Sequence, residues 1–166
     1  RHAPIRWNEE MSVDAPLPLY QCRVAPDWVD YNDHMTESAY LLAFGWASDA
    51  LFRYIGIDEA YRAAGHSFYT VESHLVYSKE VSTGEPLRFT TQLLGRDHKR
   101  LHIFHAMYHG DTGDLLCTNE QMLVHVDMSA GRSIDTLPGP KAALDAVWEV
   151  HRHLARPAAA MMAVPS

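Results

Sequence analysis

The stretch from Val24 to Tyr54 constrains this chain more than any other. A short apolar run, Leu19 to Val24, reads as a strand that ends before Pro26. An acidic elbow follows, carrying Asp27, Asp30 and Asp33, and an amphipathic helix starts near Thr36. Tyr40, Leu41, Phe44, Ser48, Leu51, Phe52 and Ile55 recur at three- and four-residue steps, which makes one broad, mainly apolar face. Gly56 is placed to stop the helix. A helix with such a face must bury it against another layer. Its first turn leaves backbone N–H groups unpaired at the positive end of the helix, and carboxylates stand directly beside them. That combination favours chemistry at the elbow.

Beyond the helix the periodicity changes. Asp58 to Ala64 reads as one further helical turn, closed by Gly65. Phe68–Tyr77, Leu87–Leu94, Leu101–Tyr108 and Leu115–Val126 are strand-like runs. The turns between them are Ser82-Thr83-Gly84-Glu85-Pro86, Gly95-Arg96-Asp97 and the stretch His109 to Asp114. Consecutive strands joined this tightly pair antiparallel. The economical arrangement is an α+β fold, with one antiparallel sheet of about five strands curled around the long helix. Gly131 and Pro138-Gly139-Pro140 mark a break. Lys141 to Leu154 then reads as a C-terminal helix with Leu144, Val147, Trp148, His151 and Leu154 on one side. The expected organisation is an N-terminal arm over 1–18, the main domain over 19–135, the C-terminal helix region over 136–157 and a loose tail over 158–166.

Composition narrows the function classes. The chain has 166 residues, 47% hydrophobic and 21% charged, enough for one globular domain with a real core. No apolar run is long enough to span a membrane, and Arg1 to Pro18 lack the apolar segment of a secretory signal. Cys22 and Cys117 do not form a disulfide framework, so a reduced, cytoplasmic setting is expected. The net charge of −7 argues against nucleic acid or an anionic membrane as partner. An anionic ligand would need a local basic cluster. Arg96, Lys99 and Arg100 at one turn, with Arg132 after the last strand, suit phosphates or simply a solvated turn. His98, His102, His105 and His109 would share a face on a helix and invite zinc. On a strand His102 faces away from His105 and His109, so no metal is expected. There is no Gly-rich phosphate loop and no Ser-centred nucleophile elbow.

The spacing Asp30-x-x-x-His34-Met35-x-x-x-x-Tyr40 resembles the signature of hotdog-fold acyl-CoA thioesterases of the 4-hydroxybenzoyl-CoA type. That pattern runs Asp, two residues, Gly, His, an apolar residue, Asn, three residues, Tyr. Asp33 stands here where Gly is usual and Thr36 where Asn is common. The order of elements agrees, as do Val126-Asp127 and Gly131-Arg132, so the resemblance covers about residues 19–135. It implies that Asp30 is the catalytic carboxylate, attacking the thioester carbonyl or activating a water. Backbone N–H groups near His34 and Met35 would hold the oxyanion. Thioester hydrolysis needs both parts. His34 would be a general acid, an orienting donor or a structural residue. Asp33 would cap the helix or add a second negative charge beside Asp30. The resemblance further implies an acyl-CoA substrate with no cofactor besides its coenzyme A, and a homodimer pairing sheet edges, with tetramers left open.

A wider set of residues is similar to the betainyl-CoA thioesterases of carnitine degradation, found alone or fused to carnitine dehydrogenase. It comprises His34-Met35-Thr36-Glu37-Ser38, Phe44-Gly45, the run Ser48 to Gly56, and Ser67 to Glu72. The implied reaction releases glycine betaine and free CoA. A trimethylammonium group wants aromatic faces and a carboxylate. Candidates for the acyl pocket are Trp28, Tyr31, Tyr40, Trp46, Phe68, Tyr69 and Tyr77, with Thr36 and with Glu37 or Glu72 as countercharge. Each aromatic serves equally well as core filling. The same architecture also admits a thioesterase for another short or aromatic acyl-CoA, an acyl-thioester hydratase or dehydratase, or a binder without turnover.

Overall fold

The computed structural model describes residues 5–163. In chain order it contains β1 (Leu17–Arg23), a single 3₁₀ turn (Pro26–Trp28), α1 (Glu37–Ile55), α2 (Glu59–Ala63), β2 (His66–Tyr77), β3 (Pro86–Arg96), β4 (Arg100–His109), β5 (Leu115–Asp127), β6 (Arg132–Ser133) and α3 (Pro138–His151). The strands form one antiparallel sheet in the order β1-β3-β4-β5-β2, with the two-residue β6 on the end of β5. β1 and β2 are therefore the sheet edges. The expected elements are present, and Gly56 ends α1 with φ 95°, a conformation glycine adopts without cost. The Pro138-Gly139-Pro140 cluster, read as a break, is instead the first turn of α3. A missing N–H costs nothing at that position.

α1 lies across the concave side of the sheet. Ala43, Phe44, Ala47, Leu51 and Ile55 bury against Leu87, Phe89, Ile103, Met107 and Leu123. Four alanines, Ala39, Ala43, Ala47 and Ala50, occupy the face turned to the sheet, where small side chains let helix and strands approach. This corrects one detail of the sequence reading. Leu41, assigned to the buried face, is 46% exposed beside Leu42 and Trp46, because the alanine row sets the facing side.

A polar chain runs through this otherwise apolar layer. His105 Nδ1 lies 2.8 Å from Thr91 Oγ1, and its Nε2 lies 2.9 Å from Ser48 Oγ on α1. The Ser48 hydroxyl donates to Gln121 Oε1 at 3.2 Å, and Gln121 Nε2 donates to Ser73 Oγ on β2. The donors and acceptors match throughout if Thr91 donates to Nδ1 and the ring carries its proton on Nε2. His105 also stacks on Phe44, with ring centroids 5.9 Å apart. Burial holds its pKa down to about 3, so the ring is neutral in the folded protein.

From the sequence, the order of the N-terminal arm is open and the C-terminal tail is expected to be loose. In the N-terminal arm, Trp7, Met11 and Val13 pack on the core, and the Trp7 N–H donates to the Tyr54 carbonyl at 2.9 Å. The tail is not loose over residues 158–163. The N–H groups of Met161 and Met162 donate to the fully buried Glu120 carboxylate at 2.7 and 3.0 Å. Ala159 and Ala160 cover Leu94, Phe104 and Ala106 on the convex side. The rest of the expected arm and tail, 1–4 and 164–166, lies outside the described residues. Glu120 also meets His102 Nε2 at 2.7 Å, so His102 faces outward while His105 faces inward, as strand alternation requires.

The buried His105 has a measurable consequence. Unfolded, the ring takes up a proton near 6.5; folded, it does so only at about 3. Between those values the unfolded state binds more protons, so stability falls as pH drops, by about 1.4 kcal/mol per pH unit from this site. Thermal melts from about pH 6.5 to about pH 4 should show a shallower loss of Tm in His105→Gln than in the unsubstituted protein. Equal slopes would contradict the assignment.

Candidate active site

The elbow is a closed turn built on Asp30. The Asp30 N–H donates to the His34 carbonyl, and the Asp33 N–H donates to the Asp30 carbonyl, both at 3.0 Å. Asp30 Oδ1 accepts the N–H groups of Asn32 at 2.8 Å and His34 at 3.3 Å. Oδ2 has no donor among the described residues, and the carboxylate is exposed. Asp33 adopts φ 59°, in the left-handed region where glycine is the usual occupant. Its Oδ1 accepts from the Thr83 hydroxyl at 2.6 Å and the Thr83 N–H at 3.2 Å. These bonds hold the Asp33 carboxyl below its ordinary range. Asp33 therefore does not cap α1, as one expectation had it. It fastens the β2–β3 loop to the elbow.

Thr36 is the N-cap of α1, yet its hydroxyl turns back to the Trp28 carbonyl at 3.3 Å and makes no cap bond. The backbone here is largely committed. The Met35 N–H donates to the Val81 carbonyl and the Thr36 N–H to the Trp28 carbonyl, both at 2.9 Å. The N–H groups of Ala39 and Tyr40 return to the Thr36 carbonyl. Those of Glu37 and Ser38 have no acceptor among the described residues. The donors expected at His34 and Met35 are thus engaged, and the free pair lies just beyond them in the first turn of α1. Free N–H groups at that end carry the positive pole of the helix dipole.

Next to this helix start lies a cleft of about 560 Å³ lined by His34, Met35, Glu37, Tyr40, Tyr77, Ser78, Lys79 and Glu80. Tyr40 and Tyr77 meet edge to face, 5.2 Å between centroids. The Tyr77 hydroxyl donates to the Glu37 carbonyl and the Tyr40 hydroxyl to the Lys79 carbonyl, each at 3.2 Å. Burial, reinforced by Cys117, Glu80 and Tyr77, pushes Tyr40 up to about 12, so its phenol stays neutral. Burial also raises Tyr77. The cation of the cleft, Lys79, is paired with Asp114 at 2.6 Å. Glu37 and Glu80 remain, with His34 Nδ1 3.8 Å from Glu80. The cleft is aromatic and acidic, entered beside a carboxylate and two free amide donors.

The sequence profile of the thioesterase-like superfamily matches residues 24–150. The chain belongs to this superfamily. A betainyl-CoA thioesterase of Pseudomonas aeruginosa is 45% identical over 142 residues, covering 85% of this chain and 89% of that protein. The L-carnitine dehydrogenase/betainyl-CoA thioesterase of Rhizobium meliloti is 43% identical over 150 residues, or 90% of this chain. This chain spans only 30% of that two-function protein's length. Among solved structures, a candidate thioesterase from Pseudomonas putida KT2440 superimposes with a TM-score of 0.76 at 33% identity, covering 92% of this chain and 99% of the other. A Staphylococcus aureus protein solved with CoA shares the fold at a TM-score of 0.77 and 22% identity, covering 93% of this chain and 100% of its own. The hotdog architecture read from the elbow and the strand order is thereby established.

Within this superfamily fold, the expected site residues divide. His34, Met35, Glu37 and Tyr40 come together around the cleft, with Asp30 on the adjoining turn. Thr36 and the half-buried Trp28 hold the turn from behind. Tyr31 is 96% exposed, Trp46 lies on the open side of α1, and Tyr69 is exposed on β2. Phe68 is core, stacked on Phe52 near the opposite end of β2 from Tyr77. A single chain therefore brings none of these four into the cleft. Tyr77 is a cleft wall, and Ser78, Lys79 and Glu80 were missed; their signal was position, directly after the strand that passes the helix start.

The residues expected to hold phosphates also lie elsewhere. The Val81–Thr83 loop that fixes the elbow leads into β3, and Arg96 ends that strand, about 30 Å further along. Lys99 and Arg100 follow at the same turn, and Arg132 sits in β6 beside Asp127. Arg96 is bonded to Asp145 and Arg100 to Asp97, while Lys99 donates to Ser133. A single chain does not deliver this group to its own cleft. Among the described residues no side-chain cluster has a metal-binding arrangement, and no helix is long and apolar enough to cross a membrane.

Proposed function

We propose that the chain hydrolyses an acyl-CoA thioester, betainyl-CoA, to glycine betaine and CoA in carnitine catabolism. The observation that carries this reading is the turn before α1, which leaves one Asp30 oxygen and the Glu37 and Ser38 N–H groups without partners among the described residues, next to a cleft walled by tyrosines and carboxylates. The thioester oxygen sits on those two N–H groups, which stabilise the negative charge that develops there. Asp30, through its free oxygen, either attacks the carbonyl carbon or takes a proton from an attacking water. The CoA thiolate departs as the tetrahedral centre collapses; where Asp30 is the nucleophile, water then hydrolyses the mixed anhydride, which releases glycine betaine and restores the carboxylate. The faces of Tyr40 and Tyr77 and the carboxylates of Glu37 and Glu80 receive the trimethylammonium group. The names of the relatives that match most of this chain point to the same substrate. No cofactor beyond the substrate's coenzyme A is required, and two free cysteines fit a reducing compartment such as the cytoplasm.

The working unit in this reading is a homodimer. β2 is a twelve-residue edge strand with Tyr69, Val71, Val76 and Tyr77 exposed. Antiparallel pairing of two such edges covers their open backbone groups. It also reverses the second sheet, so that its Lys99 and Arg132 end lies towards the first chain's cleft, where the CoA phosphates need cations.

Release of free thiol from a panel of betainyl-, acetyl-, butyryl- and benzoyl-CoA tests the proposal. The kcat/KM for betainyl-CoA should exceed that for acetyl-CoA by about tenfold or more, and Glu37→Gln should reduce that ratio. Light scattering should give twice the chain mass. A preference for a neutral aliphatic acyl group would refute the cation site. Water addition to crotonyl-CoA without thiol release would indicate a hydratase, and saturable binding without turnover a binder.

A further inference from the structure

The cleft is lined by two carboxylates, Glu37 and Glu80, and by one ammonium, Lys79. A lysine in that position works against a substrate whose acyl group is itself a cation. The chain supplies the counter-charge from outside the lining. Asp114, one residue before β5, places Oδ2 2.6 Å from the Lys79 ammonium. Backbone bonds build this meeting from both sides. The Ser78 and Lys79 N–H groups both donate to the Leu116 carbonyl, at 2.9 and 3.1 Å, which fastens the chain leaving β2 to the start of β5. In the β4–β5 turn, the His109 N–H donates to the Asp114 carbonyl at 2.8 Å and the Gly113 N–H to the His109 carbonyl at 2.9 Å. The Asp111 and Thr112 N–H groups close the same turn on His109 Nδ1. The hydrogen bond between the two side chains holds the Asp114 carboxyl down and the Lys79 ammonium up, so both are charged. Glu85, which also acts on Lys79, is bonded to the Ser82 N–H and to His109.

We infer that Asp114 is a determinant of selectivity for a cationic acyl group: by neutralising Lys79 it leaves the carboxylates of Glu37 and Glu80 as the uncompensated charge of the cleft. This rests on the acyl-CoA reading above and adds to it a residue that acts through Lys79 without lining the cleft. With the Asp114 charge removed, the Lys79 ammonium either repels the trimethylammonium group or pairs with Glu80, its neighbour in sequence. Both weaken the attraction for a cation, and neither alters the fit of a neutral group of the same shape. Lys79 and Asp114 are each about half exposed, so water and salt screen the effect to a few-fold.

Betainyl-CoA and tert-butylacetyl-CoA test this, because their acyl groups match in shape and differ in charge. Asp114→Asn should lower the ratio of kcat/KM for betainyl-CoA over tert-butylacetyl-CoA by about three- to fivefold. Combining it with Lys79→Met removes both charges of the pair and should restore the ratio to about that of the unsubstituted protein. The ratio is taken within each variant, so a general loss of activity cancels. If no acyl-CoA is hydrolysed, the proposed activity fails. The ratio of Kd values for S-(trimethylammonioethyl)-CoA and S-(tert-butylethyl)-CoA, thioethers that cannot be hydrolysed, then still decides this inference. An unchanged ratio in Asp114→Asn overturns it. So does a ratio that stays low in the double variant, which would mean that Asp114 does not act through Lys79.

Discussion

The hydrogen bonds that Met35 and Thr36 send backward, to the Val81 and Trp28 carbonyls, decide what the start of α1 has left to offer. An α-helix leaves its first N–H groups without intrahelical partners. Here the elbow consumes those that precede the helix and leaves those of Glu37, which lines the cleft, and Ser38 without an acceptor among the described residues. The same turn presents Asp30 with one oxygen bonded and the other open. In the proposed reaction, nucleophile or base and oxyanion donors thus come from one short backbone path.

That path needs external support, and three contacts provide it. Asp33 occupies a left-handed position and, unlike the glycine usual there, reaches across to hold Thr83. The small bridge between Val29 and Met35 closes the base of the turn. Further along, Ser48 ties α1 to His105 and Gln121 on the sheet, a directional contact within a layer otherwise held by apolar burial. Apolar contact fixes how closely a helix approaches a sheet but resists sliding and rotation weakly; hydrogen bonds in a dry interior are specific in direction. The polar chain therefore sets where the helix start points.

Much of this was legible in the sequence, for identifiable reasons. The change from a three-to-four residue period to strand-like runs marked every long element, and tight turns fixed the antiparallel β3–β4 and β4–β5 pairs; the expected pairing of β2 with β3 is absent, because β2 crosses over to pair with β5. Asp30, His34, Met35 and Tyr40 were recognisable because they lie within one short motif. What escaped depends on register and on contacts distant in sequence. The facing side of α1 was set by alanines, which carry little hydrophobic signal, so Leu41 was misplaced. The role of Asp33 depends on Thr83, fifty residues away. Arg96 and Arg100 looked like a free basic patch, yet Asp145 and Asp97 neutralise them. Only the folded chain shows Glu120, on β5, anchoring the tail.

The account turns on Asp30 acting as a chemical group rather than as a support for its own loop. Asp30→Asn separates the two, because the amide oxygen can still accept the Asn32 and His34 N–H groups that hold the turn. The measurement is kcat for thioester hydrolysis alongside the melting temperature of the variant. The account predicts a loss of about a thousandfold in kcat with an essentially unchanged Tm. Near-normal turnover in a folded Asp30→Asn protein would contradict it.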